Sequence, residues 1–158
     1  MNAAPIEFQP ARIFAQLAED DVRFVTVGAF AVIAHGVVRA TRDVDIIPDP
    51  DAANLAQLAS AIQALRGSPR GEPDTPVTAE LLSRDANMRF KTAAGQLDVL
   101  CAQQYRRMFP DLWSRSEIAD VEGIPIRVVS RNDVIRLKAG TGRDRDLLDI
   151  GDLLALEE

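Results

Sequence analysis

Strand-like and helix-like segments alternate along this chain, which predicts an α/β (α+β) protein with one mixed β-sheet and helices mainly on one side. Three observations carry that reading. Residues 22–27 form a β-branched run that passes through Gly28 into the short apolar stretch 29–35. Residues 87–92 and 96–101 flank Ala93-Ala94-Gly95 as the arms of a hairpin would. Two helical patterns close the chain, separated by Gly140-Thr141-Gly142.

Each element has its own local warrant. Residues 10–20 place Ile13, Phe14 and Leu17 at helical spacing, with Pro10 early, where a missing N–H is tolerated. Strand 22–27, helix 29–35 and strand 43–47 follow. Leu55, Leu58, Ile62 and Leu65 mark an amphipathic helix over 50–65, with Pro50 expected at its first position. Residues 67–76, with Gly67, Pro69, Gly71, Pro73 and Pro76, have the composition of a mobile loop. After the hairpin, the apolar strip 109–113 reads as core or interface. Residues 117–121 and 125–129 around Glu122-Gly123 read as another strand pair. Ser130 or Asn132 can cap a helix running to Ala139. The last helix, 144–156, is expected to present Leu147, Leu148, Ile150, Leu153 and Leu154 to the core.

Length and composition bound the function. The 158 residues fit a single domain, 1–158, of 47% hydrophobic and 27% charged residues with net charge −6. No apolar run approaches a membrane span and the N-terminus lacks signal-peptide character, so the expected location is cytoplasmic. The acidic total argues against broad nonspecific nucleic-acid binding. The single cysteine, Cys101, excludes an internal disulfide, and its apolar neighbours favour an inert buried thiol. The chain has sixteen Arg and two Lys, so Lys91 and Lys138 stand out wherever they fall.

The most informative local feature is Asp43-Val44-Asp45 running into Ile46-Ile47. On an extended segment the two carboxylates share a face, with Cα atoms roughly 6.6 Å apart. That geometry suits two hard divalent cations, and Asp98, in a neighbouring apolar strand, could complete a three-carboxylate site. The bland alternative is a surface ladder of Asp43 and Asp45 with Arg39 and Arg42, and Asp98 could instead accept from backbone donors. Two other Asp-x-Asp triplets, at 49–51 and 144–146, sit where helices begin. A strand ending at Gly28 and entering a helix exposes backbone N–H groups suited to phosphate, although a tight turn explains the glycine equally well.

In combination, Gly28-Ala29, His35-Gly36, Arg39, Thr41 and Asp43-Val-Asp45, followed by residues 133–138 ending in Lys138 and by Gly142-Arg-Asp-Arg-Asp146-Leu-Leu-Asp149, resemble the nucleotidyltransferase superfamily related to DNA polymerase beta. The closer likeness is to its small bacterial branch of abortive-infection and toxin-antitoxin nucleotidyltransferases. The resemblance implies a nucleotidyltransferase-like fold in which Asp43, Asp45 and Asp98 hold two Mg2+ ions and Asp98 helps activate the acceptor hydroxyl. It implies nucleotide binding, ATP included, by Gly28, Ala29, Arg39, Thr41, Lys138, Arg143 and Arg145. The family pattern has Gly-Ser or Gly-Gly where this chain has Gly28-Ala29, and Lys where it has Arg145.

Several of these residues have a second reading. Lys138 fits a helix C-terminal cation as well as a phosphate ligand. Arg143 and Arg145 could pair with Asp144, Asp146 or Asp149. His35 is expected to cap or pack the short helix rather than act as a base. The implied activity is magnesium-dependent transfer of a nucleoside monophosphate from an NTP to a hydroxyl on an RNA 3' end, a protein or a small molecule, within a toxin-antitoxin or phage-defence system. The alternative is an inactive member of the fold that binds nucleotide or a cognate partner protein. A chain this short leaves acceptor recognition to a partner or to the 66–80 loop.

Overall fold

The computed structural model describes residues 6–156. In chain order the elements are α1 (Pro10–Glu19), β1 (Phe24–Val27), α2 (Gly28–Ala34), β2 (Asp43–Pro48), α3 (Ala52–Ala64), β3 (Ser68–Pro69) and α4 (Ala79–Leu82). There follow β4 (Met88–Thr92), β5 (Gly95–Val99), α5 (Gln103–Arg115), β6 (Glu117–Val121), β7 (Ile124–Val128), α6 (Arg131–Ala139) and α7 (Asp144–Ala155). The strands form one mixed sheet in the order β3-β4-β5-β2-β1-β7-β6. β2 runs antiparallel to β1 and parallel to β5, and β1 runs parallel to β7.

Register decides which residues share a face. Val27 pairs with Asp45 and Asp45 with Asp98, so Val25, Val27, Asp43, Asp45, Gln96 and Asp98 point one way. Phe24, Val44, Ile46, Leu97 and Val99 point the other way, into a core that includes Phe14 and Leu17 of α1. The Phe14 and Phe24 rings stack with centroids 6.2 Å apart, and Phe30 of α2 meets Phe14 edge-on at 5.6 Å. Trp113 of α5 lies instead under the guanidinium groups of Arg23 and Arg127, at 4.7 and 4.3 Å from the ring centroid. Since Arg127 alternates with Val128, α5 covers the aspartate-bearing face.

Four features depart from the sequence expectation. α5 turns the strip 109–113 into a helix despite Pro110, burying Phe109 and Leu112; Pro110 forfeits one backbone donor there. α3 begins at Ala52 behind the N-cap Asp51, so Pro50 lies just outside it. Residues 67–76 are tied to the sheet through β3 and through Arg70 N–H donating to the Arg89 carbonyl at 2.9 Å. α7 is rotated relative to its leucine pattern, with Leu147, Leu148 and Leu154 about half exposed and Asp146, Asp149 and Leu153 buried. Both of those aspartates turn toward Lys138, which accounts for the face that α7 presents inward. Ser130, of the two cap candidates, caps α6 by accepting from Asp133 N–H at 3.2 Å.

Leu58 of α3 is fully buried. Leu58→Ala is expected to lower the free energy of unfolding by about 2–5 kcal/mol, read by urea titration. A loss below about 1 kcal/mol would contradict the packing of α3 on the core.

Candidate active site

Two neighbouring central strands converge on a carboxylate cluster. Asp43 and Asp45 from β2 and Asp98 from β5 each offer an oxygen, all within 4.8 Å of one another. Gln96 ties the cluster together, its Nε2 donating to Asp98 Oδ1 at 3.1 Å and lying 3.4 Å from Asp43 Oδ2. Thr41 Oγ1 stands 3.3 Å from Asp43 Oδ1. The one cation paired with the cluster among the described residues is Arg89 of β4, whose Nε is 3.7 Å from Asp98 Oδ2 and whose side chain is half exposed.

This crowding has an electrostatic consequence. Burial first, then the charge of Asp43 and the hydrogen bond and charge of Asp98, push the Asp45 carboxyl up to about 8. Burial also raises Asp98, opposed by its hydrogen bond with Asp45 and by the positive charge of Arg89. Two adjacent buried carboxyls that cannot ionise together require a shared proton or a cation. The donor set is all oxygen and carries high negative charge, which fits magnesium.

Gly28 shows how closely the site is built. Its φ is +67°, and a Cβ there would lie 2.1 Å from Asp45 Oδ2. Glycine at this position is therefore set by the Asp45 carboxylate as well as by the turn into α2. Gly28, Ala29, Arg39, Arg143, Arg145 and Lys138 all line the recess that holds Asp43, Asp45 and Asp98. Thr41 adjoins it through Asp43.

The cations of this recess are already engaged. Lys138, buried on α6, places Nζ 2.8 Å from Asp146 Oδ1 and 3.0 Å from Asp149 Oδ2. Arg39 Nη1 reaches the same Asp149 oxygen at 2.5 Å. Arg145 pairs with Asp149 Oδ1 at 3.2 Å, a contact too oblique for a hydrogen bond. Arg143 Nε donates to Asp146 Oδ2 at 2.8 Å, and Thr141 donates to the same oxygen. Burial works against ionising Asp146, yet the Lys138 and Thr141 hydrogen bonds hold it down at about 2. Four cations thus surround two carboxylates beside the triad, leaving excess positive charge facing it.

A cleft of about 480 Å³ opens from the triad and is lined by Asp45, Arg89, Asp98, Tyr105, Leu137 and Lys138 among others. Tyr105 and Arg89 were not expected here. Arg89 was recoverable from the hairpin, because Thr92 facing Gly95 puts Arg89 opposite Asp98. Tyr105 belongs to the unforeseen α5. No residue of 66–80 lines this cleft or the recess. His35 caps α2 and bonds the Val129 carbonyl through Nε2 at 2.8 Å. Burial raises the Cys101 thiol, which contacts the Ala86 carbonyl at 3.0 Å.

The sequence pattern of the family described as "Nucleotidyltransferase of unknown function (DUF6036)" matches residues 11–155. No curated protein matches the chain. Among solved structures, the antibiotic-resistance factor ANT(2'')-Ia is similar over 94% of this chain and 82% of its own, with TM-score 0.63 and 15% identity. The lincosamide antibiotic adenylyltransferase LnuA, solved with lincomycin, is similar over 93% of this chain and 97% of its own, with TM-score 0.63 and 15% identity. TM1012 of Thermotoga maritima is similar over 92% and 90%, with TM-score 0.59 and 14% identity. At these identities the likeness is one of fold.

Two outcomes follow from the charges. The folded chain keeps a proton on Asp45 up to about pH 8, whereas the unfolded chain releases it in the ordinary carboxylate range. Without metal, that group's contribution makes stability fall as pH rises across this window. Asp45→Asn is expected to flatten the fall in thermal scans without metal, and added magnesium to oppose it in the parent protein alone. An equal slope in both proteins would refute the assignment. Lys138→Met leaves Asp146 and Asp149 without their buried partner and is expected to cost about 3 kcal/mol. Chemical denaturation with no change would show that the buried pairing contributes nothing.

Proposed function

The chain belongs to the nucleotidyltransferase family DUF6036, and on that premise we propose that it transfers a nucleoside monophosphate from an NTP to a hydroxyl, with Asp43, Asp45 and Asp98 as the catalytic centre. The observation that carries this is the convergence of the three carboxylates within 4.8 Å; burial and the neighbouring carboxylates also push the Asp45 carboxyl up. Asp43 and Asp45 would hold two magnesium ions, with Asp98 completing the set. Magnesium bound there supplies positive charge to the phosphates and to the attacking oxygen.

The side chains account for the remaining steps. Asp98 takes the proton from the acceptor hydroxyl as that oxygen forms its bond to the α-phosphorus. The bond from the α-phosphorus to the bridging oxygen breaks, and pyrophosphate leaves with the electron pair. Arg89 stands beside Asp98, and its positive charge opposes part of the upward push that burial gives that carboxyl. The triphosphate is placed against Gly28 and Ala29, where no long side chain obstructs it. Its charge faces Arg143 and Arg145, both substantially exposed, while Lys138 and Arg39 act from behind by fixing Asp146 and Asp149. Ala29 supplies no hydroxyl, so the contact at that turn is to the backbone.

A phage-defence or toxin-antitoxin role would place this chemistry on a cellular RNA or protein. The antibiotic-modifying neighbours suggest a small molecule instead, because LnuA was solved with lincomycin and ANT(2'')-Ia with adenylyl-2''-tobramycin. The complete triad favours turnover over an inactive regulator.

The test is label transfer and pyrophosphate release from each of the four NTPs with magnesium, offered RNA, protein and small alcohols. Asp43→Asn or Asp45→Asn is expected to remove activity. Asp98→Asn should lower turnover by about 10²–10⁴-fold. Absence of transfer, together with no magnesium-dependent thermal stabilisation by any NTP, would overturn the catalytic reading.

A further inference from the structure

Beside the triad, the space between α5 and α6 forms a second cavity of about 300 Å³, lined by Tyr105, Met108, Leu112, Leu137, Gly140 and Thr141 together with four charged residues. Tyr105, Leu137 and Thr141 also line the cleft that holds Asp45 and Asp98, so the two spaces adjoin along these three residues. We infer that this groove is the acceptor subsite and takes the ring or aliphatic body of an uncharged small-molecule alcohol whose hydroxyl reaches Asp98. The inference rests on the transfer reaction proposed above and names its acceptor class.

Charge bookkeeping selects the occupant. Arg115, in the last turn of α5, grips Asp133 at the start of α6 through two bonds of 2.9 and 3.1 Å, and Arg136 approaches the same carboxylate at 3.6 Å. Asp133 is buried and sits below the usual carboxylate range: burial opposes ionisation, but Arg115 and Ser130 donate to it. At the other end, Asp146 is committed to Lys138, Thr141 and Arg143. Asp111 is the remaining groove carboxylate, exposed at the rim.

A polycationic acceptor would need several free carboxylates in the groove, and the interior offers none outside the triad. A polynucleotide would need a row of free cations, whereas Arg115 and Arg136 are both turned to Asp133. What remains is an apolar wall whose most exposed member, Met108, is an adaptable thioether at 40% exposure. The volume lies at the lower end of small-molecule sites.

The sequence supplies the reporters, since it contains three methionines, Met1, Met88 and Met108. Met88 lines the catalytic cleft and Met108 the groove. With 13C-methyl methionine, the full chain would be titrated separately with phenyl β-glucoside, chloramphenicol and 4-phenylbutanol, then with kanamycin and with an RNA oligonucleotide bearing a free 3' hydroxyl. A saturable shift of the Met108 methyl by an uncharged ring alcohol is expected, and that shift should disappear in Leu137→Trp, where an indole fills the groove. Met108 unmoved by all three alcohols, or moved by kanamycin or RNA instead, would overturn the inference. If Leu137→Trp does not fold, the parent titration decides alone. Magnesium-ATP on the parent protein is the separate control: a silent Met88 would count against the nucleotide reading, whatever Met108 does.

Discussion

Holding three carboxylates within 4.8 Å on a strand scaffold is unfavourable, and the rest of the fold is arranged so that it persists. The positions are fixed by backbone pairing. Asp45 faces Asp98 across a parallel register and Val27 across an antiparallel one, in the middle of the sheet, where adjacent strands leave no freedom to splay. The opposite face of the same strands carries Val44, Ile46, Leu97 and Val99, all fully buried, so moving an aspartate away would drag apolar side chains out of the core. Each such side chain contributes about 1.5–3 kcal/mol by burial. Packing on one face thereby stores repulsion on the other, and a cation would relieve it.

A second carboxylate pair, in the same molecule, shows what relief looks like when the chain provides it internally. Asp146 and Asp149 are both buried, yet Lys138, Arg39, Arg143 and Arg145 all stand within 3.2 Å of them. Asp146 falls to about 2 while Asp45 rises to about 8. The contrast separates a cluster neutralised by several cations of the chain from one that is not. The paired cluster locks the loop carrying Arg39 and helices α6 and α7 together, and turns α7 so that three leucines lie in solvent. The other cluster, paired with Arg89 alone among the described residues, retains its demand for positive charge.

The parts of this arrangement legible in the sequence were those with a local period. Asp43 and Asp45 could be placed on one face because strand alternation is strict, and Asp98 on an inner strand because the hairpin around Gly95 is well marked; that all three share a face follows from the β2–β5 register. The cap at Ser130, which the sequence offered beside Asn132, is an equally local signal, whereas the order of the strands became visible only in the fold. α5 was hidden because its first turn is polar and Pro110 interrupts its apolar spacing. The orientation of α7 was hidden for a different reason: its leucines advertise a core face, whereas the deciding partner, Lys138, comes from the preceding helix. The glycine at 28 was readable as a turn, but its contact with Asp45 exists only after the sheet has formed.

The unforeseen helix changes where selectivity can reside. Reading the chain without α5 leaves the 66–80 segment as the one nearby element able to meet an acceptor, yet that segment folds back along β4. α5 instead lies on the aspartate face, held there by Trp113 between two guanidinium groups and by the Arg115–Asp133 pair. It brings Tyr105 to the border between triad and groove. For the proposed transfer reaction, the sheet would fix the chemistry while the spacing of α5 and α6 would fix what can approach it. Because the two helices are clamped through Asp133 rather than by a continuous apolar seam, substitutions along Tyr105, Met108 and Leu137 can reshape the groove without disturbing the strands that hold the carboxylates.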